Sequence, residues 1–128
     1  MSKVGAVPLE PTPAALANPV KLYVLATRPA FLTIALAGCL LGFATALESA
    51  FSWPLALLTL FLAVATQAGV NVFNDYYDHL NGTDAANVDL LFPFTGGSRF
   101  IQNGVMSPRQ MLVYALLLFG AVIAGGLW

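Results

Sequence analysis

The stretch SAFSWPLALLTLFLAVATQAGVNVF, residues 49–73, is almost entirely apolar, and it runs directly into NDYYDHLNGTD, residues 74–84. About 20 consecutive apolar residues are enough for a helix to cross the roughly 30 Å hydrocarbon core of a bilayer. The first stretch therefore predicts a membrane-spanning helix. The second places carboxylate and amide side chains at one end of that helix.

The composition of the whole chain supports a membrane protein. Of its 128 residues, 59% are hydrophobic and only 9% are charged, whereas an ordinary soluble domain carries about a quarter charged residues. A cleaved signal peptide competes for the first apolar segment, but that segment is too long for a typical signal core and a mixed segment precedes it. We predict an all-α transmembrane bundle with three spans, at about residues 29–48, 53–77 and 110–128.

The remaining segments predict the domain organisation and the topology. Residues 1–19, with four prolines among small residues, are expected to form a disordered tail, and residues 20–128 a single membrane domain. Every Lys and Arg lies before the first span or in the connection at about residues 78–109. Since cytoplasmic segments carry the excess of basic residues, we expect an integral, multi-pass protein whose N-terminus and acidic motif are cytoplasmic.

The polar residues after the second span have helical spacing. If the helix continues to about Asp78, then Asn71, Asn74, Asp75 and Asp78 lie on one face of it. Carboxylates that are close together repel each other, and a cation relieves this repulsion. The ligand atoms are all oxygens, which favours Mg²⁺ held by one or two carboxylates together with phosphates and water. The pattern is consistent with a metal-assisted diphosphate site.

A structural interpretation fits the same residues equally well. Asp and Asn are common where helices end, because their side chains bond to nearby backbone groups. NGTD, residues 81–84, is a turn in which Asp84 can cap the next helix. His79 can be a ligand or a base, although a solvated surface histidine is the simpler interpretation.

A second polar segment, FTGGSRFIQNG, occupies residues 94–104. Gly96 and Gly97 free the backbone to direct amides at an anion, and Arg99 offers a planar group suited to phosphate. A flexible connection with an arginine at the membrane surface explains this segment as well. Taken together, the acidic and basic segments predict a site for a lipid diphosphate and its metal.

Other classes of function are weaker or remain open. The net charge of −1 gives no reason to expect a nucleic-acid partner, and the single cysteine, Cys39, excludes an internal disulfide framework. A noncatalytic helical membrane subunit, with the acidic cluster as its docking surface, is the main alternative. An ion-handling protein fits less well, because the carboxylates lie at the end of a span.

The motif N-x-x-N-D-Y-x-D-x-x-x-G-x-D at residues 71–84 resembles the first aspartate-rich motif of the UbiA superfamily of intramembrane prenyltransferases. Its Gly-x-Asp ending is most similar to the menaquinone branch, the 1,4-dihydroxy-2-naphthoate polyprenyltransferases. Arg28-Pro29 before the first span and the segment GGSR-x-I-Q-x-G fit the same comparison.

This resemblance implies a helical bundle of roughly nine spans in which two aspartate-rich motifs hold Mg²⁺ against a polyprenyl diphosphate. The prenyl group would pass to an aromatic acceptor, here 1,4-dihydroxy-2-naphthoate in menaquinone biosynthesis. Asp75 and Asp78 would be catalytic, and Arg99, Gln102 and Asn71 would bind or orient the substrate. The implied metal ligands are Asn74, Asp75, Asp78 and Asp84.

The resemblance also implies an incomplete site. The chain stops at Trp128, within the third predicted span, before the second aspartate-rich motif that the family carries. We therefore expect an N-terminal piece that is inactive alone and requires further C-terminal helices, or a partner chain, to supply the second motif. An inactive truncated product is the remaining interpretation.

Overall fold

The computed structural model describes residues 10–46, 51–87, 91–92 and 94–127. In these ranges the chain is helical and contains no strand. After a single turn of 3-10 helix at Ala14–Leu16, the helices are α1 (Pro19–Ala26), α2 (Pro29–Ala46), α3 (Trp53–Leu80), α4 (Thr83–Ala86) and α5 (Pro108–Gly126).

Three of these helices, α2, α3 and α5, are long and apolar enough to cross a membrane. This confirms the predicted fold class, an all-helical membrane bundle with three spans. The observed bounds differ from the predicted ones mainly at the polar ends. Helix α3 continues through Leu80 because no Pro or Gly interrupts it before Gly82, which adopts a φ of 79° that favours glycine.

Local sequence signals set where several helices begin. The Asn18 side chain accepts hydrogen bonds from the backbone N–H groups of Val20 (2.9 Å) and Lys21 (3.2 Å) at the start of α1. At the start of α5, Ser107 and Gln110 form a reciprocal capping box. These caps satisfy amide groups that have no partner within the first turn of a helix.

Helix α3 is central and packs against both α2 and α5. Gly69 permits the close approach of α5, because a Cβ atom at this position would lie 2.9 Å from the Phe119 ring. The Phe73 and Phe119 rings meet edge to face at 5.7 Å between centroids. Buried apolar side chains extend this core towards the connecting segments, and they are Leu16, Ala26, Val72, Phe100, Met106, Met111 and Ala115.

The N-terminal segment differs from the disordered tail expected over residues 1–19. Residues 1–9 lie outside the described part of the chain, whereas residues 10–17, here called the N-terminal strap, follow a defined path along the protein. Leu16 is buried in the core, and the Lys21 ammonium group donates to the carbonyl of Ala15 at 3.4 Å. Burial of a leucine stabilises order by about 1.5–3 kcal/mol, which composition alone does not reveal.

Candidate active site

Two acidic residues of the motif are almost fully buried. Asp75 on α3 and Asp84 on α4 each have 2% of their surface exposed. The two carboxylate oxygens of Asp75 accept from the backbone N–H of Ser98 at 3.3 and 3.1 Å. The Arg28 guanidinium, at the start of α2, lies 4.0 Å from the same carboxylate. The structure thus brings together the two polar segments singled out in the sequence.

Gly97 is the point where the loop meets both buried carboxylates. Its φ is 69°, and a Cβ atom placed on it would lie 2.7 Å from Asp75 Oδ1 and 3.2 Å from Asp84 Oδ2. Any larger residue would therefore collide with the first carboxylate. The glycine both permits the left-handed turn and lets the backbone approach the acidic pair.

Asp84 is held by the loop through two different groups. The Gln102 amide donates to its carboxylate at 3.0 Å, and Arg99 Nη1 donates to its backbone carbonyl at 2.8 Å. Burial raises the pKa of Asp84, and the negative charge of Asp78 raises it further, against the opposing effects of Arg99, Gln102 and Arg28. A further positive charge at this position would therefore stabilise the ionised carboxylate.

Two arginines adjoin the acidic pair in unusual backbone conformations. Arg28 has a φ of 55° and Arg99 a φ of 62°, and each such conformation costs about 1–3 kcal/mol for a residue other than glycine. In the part of the chain that the structure describes, the Nε atoms of both side chains are buried without a hydrogen-bond partner. The Arg28 guanidinium also stacks 4.3 Å from the centroid of the Phe31 ring.

The residues of the predicted helix face occupy different surroundings. Asn71 is buried, and its amide donates to the Thr27 carbonyl at 2.8 Å, which ties α3 to the end of α1. Asp78 is partly buried, whereas Asn74 and His79 are exposed. The described residues cover only part of this helix face, and the exposed Asn74 side chain is accessible to a ligand or to another segment of protein.

The carboxylates of the described chain fit part of a binding site for a divalent cation. Among residues 10–46, 51–87, 91–92 and 94–127, no three side chains of His, Cys, Asp or Glu converge to hold a metal ion by themselves. Asp75 and Asp84 nevertheless supply two carboxylates next to one loop, and Asp78 adds negative charge nearby. This fits part of a Mg²⁺ site, because Mg²⁺ is bound by one or two carboxylates with phosphate and water completing its shell.

A cavity of about 540 Å³ lies beside this cluster, between the N-terminal strap and the start of α2. Its wall combines Arg28 and Ser98 with apolar side chains, among them Leu25, Phe31 and Phe100. A mainly apolar cavity with a few polar groups is typical of a small-molecule site.

Several contributors to the site were missed by sequence reasoning. The Ser98 backbone amide carries no signal of its own in the sequence. Glu10 lies in a proline-rich segment, yet its carboxylate is 3.6 Å from Arg99 Nε and accepts from Asn103 Nδ2 at 2.9 Å. Arg28 was singled out in the sequence as part of the pair Arg28-Pro29, but its position beside the Asp75 carboxylate was not predicted.

Comparison with known proteins identifies the family to which this sequence belongs. The profile of the UbiA prenyltransferase family matches residues 35–128. The chain is 30% identical over 130 residues to the UbiA prenyltransferase domain-containing protein 1 homolog of Drosophila melanogaster, covering 84% of this chain and 36% of that protein. No solved structure matches the chain significantly.

Two bacterial relatives are also similar. The 1,4-dihydroxy-2-naphthoate octaprenyltransferase of Mycobacterium leprae is 36% identical over 97 residues, covering 74% of this chain and 30% of that protein. The 1,4-dihydroxy-2-naphthoate octaprenyltransferase of Mycobacterium tuberculosis is 37% identical over 96 residues, covering 73% of this chain and 30% of that protein. The chain therefore spans about a third of the length of the curated relatives it matches. The family profile covers most of the chain, which also has three helices able to span a membrane, and the chain therefore belongs to the UbiA prenyltransferase family.

Proposed function

We propose that this chain forms one half of the active site of an enzyme that transfers a polyprenyl group from its diphosphate to an aromatic acceptor. One observation carries the proposal: two buried carboxylates, Asp75 and Asp84, meet at Gly97 beside the arginines at positions 28 and 99. Opposite charges arranged in this way suit a diphosphate together with its metal. The apolar surfaces of the neighbouring helices suit its lipid tail.

The proposed roles follow from the surroundings of each residue. Asp75 and Asp84, with Asp78 and the exposed Asn74, would hold Mg²⁺, which when bound withdraws charge from the leaving diphosphate. Arg99 has guanidinium N–H groups beyond the one bonded to Asp84, and these can donate to phosphate oxygens. Gln102 fixes the Asp84 carboxylate, and Asn71 fixes the helix that carries Asp75. The apolar side chains that line the cavity would contact the prenyl group.

The acceptor that we propose is 1,4-dihydroxy-2-naphthoate, which would place the reaction in menaquinone biosynthesis. Support comes from the names of the two mycobacterial relatives and from the Gly-x-Asp ending of the motif at Gly82 and Asp84. We further propose that the second aspartate-rich motif is supplied by C-terminal helices or by a partner chain. The N-terminus and the site would face the cytoplasm, as the distribution of basic residues indicates.

The test is an assay of the protein from its complete reading frame, reconstituted in nanodiscs with a polyprenyl diphosphate and a panel of aromatic acceptors. We expect prenylated naphthoate to exceed the products from benzoate and homogentisate acceptors. Chelation of Mg²⁺ with EDTA should abolish product formation, and added Mg²⁺ should restore it. Full activity after chelation would contradict the metal assignment, and product from another acceptor alone would contradict the naphthoate assignment.

Replacing Arg99 by Lys should raise the KM for polyprenyl diphosphate about tenfold, because lysine keeps the charge but not the planar donor pair. The matched control is Arg109→Lys, since Arg109 is an exposed arginine in the first turn of α5. Steady-state kinetics at saturating acceptor would measure both. Equal KM values for the two variants would remove Arg99 from the substrate site.

A further inference from the structure

A carboxylate of the N-terminal strap lies against Arg99. Glu10 Oε2 is 3.6 Å from Arg99 Nε, a buried nitrogen without a hydrogen-bond partner among the described residues. Glu10 and Arg99 are far apart in the sequence but in contact in the folded chain. The contact is therefore a product of the tertiary fold, not of local chain geometry.

Glu10 is itself anchored to the turn that carries Arg99. Asn103 Nδ2 donates to Glu10 Oε2 at 2.9 Å and to the carbonyl of Pro11 at 3.0 Å. The backbone N–H of Asn103 donates to the Arg99 carbonyl at 3.0 Å, which closes the turn. The strap and the turn at residues 99–103 thus form one connected unit.

Arg99 combines a left-handed backbone conformation with contacts at two nitrogen atoms of its side chain. A left-handed conformation at a residue other than glycine persists where the surrounding structure holds it in place. The Asp84 carbonyl holds Nη1, and the Glu10 carboxylate lies at Nε. Since the guanidinium group is planar and rigid, contacts at these two atoms fix its orientation and leave its other N–H groups available.

We infer that Glu10 is a positioning residue that orients the Arg99 guanidinium for the substrate phosphate. This inference rests on the proposed function, because it acts through the arginine proposed to bind diphosphate. The Glu10 side chain is 38% exposed, and an ion pair that is partly exposed contributes little to stability. The effect of Glu10 is therefore expected in substrate binding and not in the free energy of unfolding.

The first experiment uses Glu10→Gln in the protein from its complete reading frame, in nanodiscs. Glutamine keeps an oxygen that accepts from Asn103 but removes the charge beside Arg99. We expect the KM for polyprenyl diphosphate to rise about fivefold, near the upper end for a partly exposed ion pair, with kcat and the melting temperature unchanged. Thr12→Ala is the control in the same strap, because the Thr12 hydroxyl accepts from the backbone of Ala15 within the strap at 3.3 Å.

A double-mutant cycle then separates positioning from an independent effect. If Glu10 acts through Arg99, Glu10→Gln should have no further effect on KM in an Arg99→Gln background. An unchanged KM for Glu10→Gln alone, or an equal rise in both backgrounds, would overturn the inference. If Arg99→Gln itself leaves the KM unchanged, the proposed role of Arg99 fails instead.

Trypsin cleavage after Arg99 gives a readout that is independent of activity. Arg99 must leave its present contacts to enter the protease, so loss of the Glu10 charge should speed cleavage at this bond, as followed by intact mass spectrometry. Thr12→Ala should cleave at the wild-type rate. Equal rates for Glu10→Gln and wild type would show that Glu10 does not hold Arg99 and would overturn the inference, whatever the kinetics.

Discussion

Asp75→Asn is expected to lower prenyl transfer by about 10²–10³-fold, in line with the loss of one group that stabilises developing charge in a reaction, while the protein remains folded. Asparagine has the same shape as aspartate, and its amide oxygen can still accept from the Ser98 N–H that Asp75 now binds. What is lost is the negative charge available to a metal. The measurement is the rate of product formation across a Mg²⁺ titration, with the melting temperature recorded alongside.

Asp75→Ala separates the catalytic part of this effect from the structural part. Alanine leaves the buried Ser98 N–H without its acceptor, which costs about 1–3 kcal/mol of stability in addition to the lost charge. His79→Gln, one turn further along α3 and exposed, is the matched control and should keep wild-type activity. If Asp75→Asn retained wild-type activity at every Mg²⁺ concentration, Asp75 would be a packing residue.

The membrane helices could be predicted well because the backbone cannot form hydrogen bonds with lipid. A long apolar run such as residues 29–48 must satisfy its backbone hydrogen bonds internally, and a helix does this within one segment. The predicted end of the second span was less accurate, because the side chains at Tyr77–Leu80 neither favour nor forbid another helical turn. Tertiary contacts determine where α3 ends.

The pairing of the acidic and basic segments was also predictable in outline. The acidic segment lies at the end of the second span and the basic segment in the connection that follows it, so both must be on the same side of the membrane. The atoms that meet were not predictable, because the Ser98 amide and the Gly97 backbone supply the contacts with Asp75. A backbone amide has the same chemistry at every residue, so its role depends on where the fold places it.

Helical spacing alone could not distinguish the roles of the predicted face. Asn71 and Asn74 lie within one arc of α3, yet the first is buried against Thr27 and the second is exposed. The N-terminal strap also could not be predicted from local sequence, because its contacts are with residues far along the chain. Its proline-rich composition predicted disorder, whereas the burial of Leu16 and the contact of Glu10 with Asn103 depend on residues far along the chain.

Gly97→Ala should be the most damaging change of a single methyl group in the described chain. The new Cβ would lie 2.7 Å from Asp75 Oδ1, closer than carbon and oxygen can approach, so the loop or the carboxylate must move. Overpacking of this kind costs about 1–3 kcal/mol, and the left-handed φ of 69° adds a further cost of about 1–3 kcal/mol. A displacement near 1 Å in a catalytic group can lower the rate about 100-fold, and we expect a loss of this size.

Gly104→Ala is the control that isolates the collision. Gly104 has a similar φ of 66°, but no heavy atom lies within 4 Å of its added Cβ. It should therefore lose about 1–3 kcal/mol of stability from backbone strain alone and keep most of its activity. Chemical denaturation and product formation would be measured for both variants in nanodiscs. If the two alanines behaved alike, backbone strain would explain both, and the close approach of Gly97 to the acidic pair would have no bearing on catalysis.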